Sequence, residues 1–324
     1  MAELVSQYFD IEEIAVITGG IETGRTFSEL PFDHLLFTGG GKVGRHIMRA
    51  AAENLVPVTL ELGGKSPVIV SRSADIQQAA ERIVLGKLLN AGQICLAPDY
   101  VLVEQSVEEQ LCDAMLQHAS RLYPSFHDNP DYTAIINDAH HERLISYIDD
   151  AHQRGATVRQ ATDDPLRDGD GQIPAERRLP FTLIQDIAPD AAVMTNEIFG
   201  PLLPVIPWQK SDDAIRFIKE RDRPLGLYYF GTNQEEQDLL LDKTIAGGVT
   251  INDVIYHVMQ EELPLGGSGE SGIGRYHGHE GFLEFSHARS VYQQPKIDIA
   301  KLLGAKPPYG KKLERYIERE LRKR

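Results

Sequence analysis

Short apolar runs alternate along the chain with longer stretches whose apolar residues recur at helical spacing. Residues 14–18 and 34–38 read as buried strands, and residues 42–54 as a helix with Val43, Ile47, Met48 and Leu55 toward one face. Residues 58–62 and 67–71 are two further strands, followed by a helix over 75–90, a strand over 100–104 and a helix over 107–122. The rhythm returns late in the chain with a strand at 227–231, a helix at 234–243 and a strand at 248–252. Strands and helices in this order predict an α/β protein built on a mostly parallel sheet.

Two stretches break the pattern. Residues 163–175, rich in Asp, Gly and Arg, read as a surface insertion, whereas the glycine-rich residues 263–278 suggest function. The last stretch, 311–324, carries seven basic and three acidic residues, so the rest of the chain holds 26 − 45 = −19 charges. Leu313, Tyr316, Ile317 and Leu321 fall on one helical face there, as in a solvated or subunit-docked terminal helix. Weak attachment to an anionic membrane surface is the second reading.

Composition narrows the function. A chain of 324 residues has room for two domains, and a net charge of −15 speaks against nucleic acid as a partner. The two cysteines, Cys95 and Cys112, form no disulfide framework and have no metal-ligand spacing, so no metal is expected and a reducing, cytoplasmic setting is. The first ten residues are mixed and acidic, unlike a signal peptide, and no apolar run approaches the roughly 18 residues of a membrane span.

Gly39, Gly41 and Gly44 lie between an expected strand and helix and match the dinucleotide pattern G-x-G-x-x-G, with Glu61 where the ribose-binding acid would fall. A tight strand-to-helix turn asks for glycine on steric grounds alone, so the match leaves both readings open. Either way, the first amides of the helix at Lys42 offer an anion site.

Five further segments resemble the aldehyde dehydrogenase superfamily. Residues 32–39 (Phe-Asp-His-Leu-Leu-Phe-Thr-Gly) are similar to its cofactor turn, and 59–67 (Thr-Leu-Glu-Leu-Gly-Gly-Lys-Ser-Pro) to its general-base motif. Residues 90–98 (Asn-Ala-Gly-Gln-Ile-Cys-Leu-Ala-Pro) resemble its nucleophile motif, and 197–201 (Glu-Ile-Phe-Gly-Pro) the motif that holds the nicotinamide ribose. Residues 263–267 and 271–274, followed by Phe285-Ser286-His287, resemble its closing loop. The wording is most similar to the class 3 and coniferyl aldehyde dehydrogenase branch.

The resemblance implies a partial Rossmann-type cofactor domain over residues 1–62, an α/β catalytic domain over 63–248, a return segment with an oligomerisation arm over 249–297, and a basic tail over 298–324. It implies NAD or NADP as cofactor, a small aldehyde (aromatic in the nearest branch) as substrate, and a homodimer. By the same resemblance Cys95 is the nucleophile and Glu61 the base that activates water. Thr38, Gly39, Gly40, Gly44, Leu62, Gly63, Glu197 and Phe199 hold the cofactor. The assignment suits the chemistry: oxidising an aldehyde to an acid needs a thiolate that turns the carbonyl into a hydride donor, then a carboxylate to activate water against the thioester. Lys65 is read as a buttress of the active-site loop, Cys112 as a core residue, and His257 and His287 as structural or channel residues. No Lys, Arg or His lies within three residues of Cys95, so its thiolate must be favoured by groups distant in sequence.

Three departures accompany the resemblance. Gly40 stands where the family has a serine, which forfeits a bond worth about 0.5–1.5 kcal/mol. Ser268 replaces a small apolar residue. The family's opening strands and its Pro-Trp-Asn motif have no counterpart, since the single tryptophan, Trp208, precedes Gln209. On that ground the chain alone is expected to be poorly soluble and weakly active, with an N-terminal segment supplied in trans as a possible partner. The competing reading is a catalytically silent fragment or regulatory subunit of the same fold.

Overall fold

A computed structural model describes residues 1–127, 129–167 and 169–323. The chain falls into two compact units, Met1–Phe285 and Ser286–Arg324.

The first unit holds two sheets. The larger has seven strands in the order β5-β6-β7-β4-β3-β8-β9: Thr157–Gln160, Thr182–Gln185, Leu202–Trp208, Tyr100–Glu104, Pro67–Val70, Gly226–Phe230 and Gly248–Ile251. All neighbours run parallel except β5 and β6. Val68 to Val70 and Val101 to Val103 are buried on both faces, as a parallel sheet covered by helices requires. One cover is the helix Ile76–Leu88, capped at its start by Asp75, whose Oδ1 accepts from the Gln78 amide at 3.1 Å. Its small residues Ala79 and Ala80 join the core with Leu111, Met115 and Ala119 of the neighbouring helix Glu108–Leu122.

The smaller sheet orders β1 (Leu35–Gly39), β2 (Val58–Leu62) and β10 (Gly272–Ile273), with β2 in the middle. Its register sets Thr38 and Gly272 on either side of Glu61. The helix Gly41–Glu53 leaves β1 and packs back on the sheet so closely that a Cβ on Gly44 would lie 2.7 Å from Leu62 Cδ2. A larger residue there would require the Leu62 side chain to shift.

The strand expected over 14–18 is absent among the described residues. Ile14 and Ile17 are exposed, and β1 pairs with β2 alone. An apolar run becomes a strand only where a ladder partner takes its backbone groups. The helices Asp138–Gln153 and Ser211–Lys219 and the strands β5 to β7 were not anticipated. Pro204 and Pro207 disguise β7, which nonetheless lies between β6 and β4 with Pro204 beside Ile184 and Pro207 beside Val103. The stretch 163–175 is irregular at its described residues, Asp168 lying outside them.

The second unit contains the helix Lys311–Leu321, which carries Leu313, Tyr316, Ile317 and Leu321 at the expected spacing; Arg324 lies outside the described residues. No helix among the described residues is long and apolar enough to cross a membrane.

Candidate active site

The helix Ile76–Leu88 ends abruptly. Asn90, Ala91 and Gly92 follow with φ of 51°, 54° and 75°, three successive left-handed residues that turn the chain back toward the sheet. A Cβ at Gly92 would stand 2.3 Å from the Gly200 carbonyl, so this turn is pressed against the 197–200 loop. Gln93 fastens it: Nε2 donates to the Ala134 carbonyl at 3.0 Å and Oε1 accepts from the Ile136 amide at 2.9 Å. The Tyr228 hydroxyl donates to the Leu96 carbonyl at 2.5 Å. Cys95 is thereby held half-buried between two fixed points. Burial above all, then the Glu61 and Glu197 carboxylates, pushes its thiol up to about 12.

Glu61 is 4% exposed on β2. The Thr38 hydroxyl donates to its Oε2 at 2.7 Å, while Oε1 is buried without a hydrogen-bond partner. One oxygen is anchored by Thr38, and the carboxylate lies close enough to the Cys95 thiol to influence it. The glycine-rich stretch closes over this strand: the Leu62 amide donates to the Ser271 carbonyl at 3.1 Å, and Leu265 and Tyr276 exchange backbone bonds at 2.7 and 2.8 Å. Ser268 has a local purpose, since Arg223 donates to its hydroxyl at 3.0 Å.

Glu197 reaches over the Gly63-Gly64 turn, where a Cβ at Gly63 would lie 2.1 Å from its Oε2. Burial, and secondarily Asp99, raises its carboxyl to about 7 against the pull of the Gly64 amide, Lys65 and Arg143. Lys65 does buttress this loop. Its ammonium pairs with the Asp99 carboxylate and donates to the Val193 and Asn196 carbonyls at 2.8 and 2.9 Å. Asp99 in turn accepts from the Ile198 amide at 2.9 Å. A second buried cation, Lys87, is driven down to about 8 by burial, with Asp99 drawing it back up. Because the Lys65–Asp99 pair is largely buried, Asp99→Ala is expected to cost about 3–5 kcal/mol of unfolding free energy, measured by urea denaturation. A loss below about 1 kcal/mol would show that the pair does not anchor the loop.

These pieces surround one cavity of about 880 Å³. Thr38, Gly39, Gly40, Glu61, Gly63, Cys95, Glu197 and Phe199 all line it. Gly44 and Leu62 instead meet each other in the helix–strand contact described above. His257 is buried on the Thr250 hydroxyl, with Nδ1 to Oγ1 at 2.9 Å, and His287 belongs to the second unit. Cys112 is fully buried in its helix. No group of His, Cys, Asp or Glu among the described residues is arranged to hold a metal.

Sequence reading missed His140, Arg143 and Tyr147, which also line the cavity. They recur at helical spacing on Asp138–Gln153, on a face that adjoins the buried Leu144, Ile148 and Ala151. That apolar face marks a helix in the sequence, but nothing local tells which pocket its polar face meets. Asp99 was missed as well.

The profile of the aldehyde dehydrogenase family matches residues 1–291, and the chain belongs to that family. It is 51% identical over 320 residues to the probable coniferyl aldehyde dehydrogenase of Caulobacter vibrioides, covering 99% of this chain and 65% of that protein. It is 38% identical over 320 residues to the dimeric NADP-preferring aldehyde dehydrogenase of Mus musculus, covering 98% and 67%. The substrate-bound structure of Staphylococcus aureus AldH superposes with a TM-score of 0.84 at 40% identity, covering 99% of this chain and 67% of that one. The chain thus spans 65% of the length of its Caulobacter relative.

Proposed function

We propose that the protein takes part in NAD- or NADP-dependent oxidation of an aldehyde, aromatic and similar to coniferyl aldehyde, to the carboxylic acid. The observation that carries this reading is that Cys95 and the half-anchored Glu61 share one cavity with the Gly39–Gly41 turn and Glu197. On this reading residues 1–62 form the second half of a cofactor domain and 63–248 the catalytic domain. Residues 249–297 supply the arm of a homodimer, ahead of a basic tail over 298–324. Unpaired Cys95 and Cys112 suit a reducing compartment such as the cytoplasm.

The residues fit a dinucleotide. The Gly40-Gly41 start of a 13-residue helix offers backbone amides to a pyrophosphate, and bare Gly63 leaves room for the Glu197 carboxylate at a ribose, with Phe199 beside it. Bound there, nicotinamide supplies a two-electron acceptor for hydride. The chain's own groups do the rest. Cys95 Sγ releases its proton to water and forms a C–S bond to the carbonyl carbon, and loss of hydride from that carbon leaves a thioester on sulfur. Glu61 Oε1 then takes a proton from water as its oxygen attacks; the C–S bond breaks, thiolate leaves and the acid is released. A catalytically silent chain has no use for a buried carboxylate oxygen without a partner beside a cysteine.

The test is purified chain with coniferyl aldehyde and NAD or NADP, following nucleotide reduction and identifying the product by mass spectrometry. A chain that reduces neither nucleotide, and whose Cys95 takes up no aldehyde-derived adduct, would overturn the reading.

The Glu197 carboxyl adds a pH signature. A ribose hydroxyl donates best to the ionised form, which is populated as pH rises through about 7. Nucleotide affinity, measured by fluorescence titration, is expected to be about tenfold weaker at pH 6 than at pH 8. Glu197→Gln should flatten that profile, and an unchanged slope in the variant would place the titration elsewhere.

A further inference from the structure

The loop 196–199 is held in an unfavourable shape. Phe199 has φ +47°, a left-handed conformation that costs a residue with a Cβ about 1–2 kcal/mol. Such strain persists only where the surroundings fix it. Charged side chains reach the loop from two sides. Lys65 donates to the Asn196 carbonyl at 2.9 Å, and Asp99 accepts from the Ile198 amide at 2.9 Å. From the helix Asp138–Gln153, Arg143 Nη1 donates to the Ile198 carbonyl at 2.9 Å and to the Glu197 carbonyl at 3.3 Å. The peptide plane gripped at the Ile198 carbonyl is the one whose rotation sets φ of Phe199. The guanidinium is itself oriented, lying 5.3 Å from the centre of the Tyr147 ring, with Nη2 3.3 Å from His140 Nδ1.

We propose that Arg143 is a positioning residue that locks the 196–199 loop in its left-handed form, so that the Glu197 carboxylate and the Phe199 ring stand in the cavity ready for the nucleotide. What the loop holds rests on the dehydrogenase reading; that Arg143 fixes its shape does not. Arginine suits the task because the planar group can give Nη1 to two successive carbonyls while Nη2 and its flat face are held by His140 and the Tyr147 ring, whereas a lysine offers a point charge.

Hydrogen–deuterium exchange of the ligand-free chain separates the two claims. A lost charge-assisted bond corresponds to roughly a tenfold change. Arg143→Met is therefore expected to speed exchange of a peptide covering 196–200 about tenfold, with exchange in β4 unchanged as the control for folding. In parallel, its dissociation constant for NADH or NADPH should rise about tenfold while kcat falls less than about threefold. Arg143→Lys should lie between, near a threefold acceleration, and it carries the test should Arg143→Met fail to fold. Exchange within twofold of wild type overturns the proposal, and so does faster exchange with an unchanged dissociation constant. Wild-type chain that binds neither nucleotide overturns the dehydrogenase reading instead, and the exchange rates still decide whether Arg143 holds the loop.

Discussion

Cys95→Ala is expected to lower aldehyde oxidation by a factor on the order of 10⁴ or more, since loss of a covalent nucleophile removes the pathway rather than weakening it. Alanine cannot form the C–S bond, and no second thiol lines the cavity among the described residues. The loop around residue 95 should survive the change. Its path depends on left-handed Asn90, Ala91 and Gly92 and on the Tyr228 bond to the Leu96 carbonyl, none of which involves sulfur. Nucleotide affinity and thermal midpoint should therefore stay close to wild type, while adduct formation with aldehyde disappears. Cys112→Ala is the matched control. That side chain is fully buried in the helix Glu108–Leu122, so its loss should cost about 1 kcal/mol of stability and leave turnover intact. Turnover retained in Cys95→Ala, or abolished in a folded Cys112→Ala, would reverse the assignment of the nucleophile.

Cys95 and Glu61 could be singled out in the sequence because each sits in a segment with distinctive neighbours: Gly92 and Pro98 around Cys95, and Gly63, Gly64 and Pro67 after Glu61. Their meeting was not legible. A separation of 34 positions (95 − 61) implies no contact, and the two line one cavity only in the folded chain, where a left-handed turn follows Leu88. Arg143 and Asp99 lay beyond sequence reading for a related reason. Both act on the backbone of a distant loop, and neither a carbonyl acceptor nor an amide donor leaves a mark on the sequence that provides it. Strands β3, β4 and β8 were found because two-sided burial writes itself as apolar runs. The failure at 14–18 shows the limit of that signal: the run is apolar, yet no neighbouring strand pairs with it among the described residues.

The sharpest separation of the two readings of Glu61 comes from Glu61→Gln. As the base, Glu61 uses the unpartnered Oε1, with Thr38 keeping Oε2 at 2.7 Å so that the carboxylate cannot turn away. The amide keeps the shape and loses the basicity. Thioester formation should proceed, hydrolysis should stall, and steady-state turnover should fall about 10²- to 10⁴-fold after a burst approaching one nucleotide reduced per chain. Mass spectrometry of the stalled enzyme should find the acyl group on Cys95. The variant should also change the thiol itself. After burial, the Glu61 charge is the largest influence raising the Cys95 thiol to about 12, so its removal lowers that value and more thiolate exists at any pH below it. Alkylation of ligand-free Glu61→Gln by iodoacetamide, in a Cys112→Ala background, should therefore be faster than that of the parent at pH 8. A ribose-binding Glu61 would produce the opposite pattern in stopped flow: a raised nucleotide dissociation constant, no burst, and normal release of the acid. That result would return Gly39, Gly41, Gly44 and Glu61 to the ordinary dinucleotide fingerprint and leave the water-activating base to be sought elsewhere in the cavity.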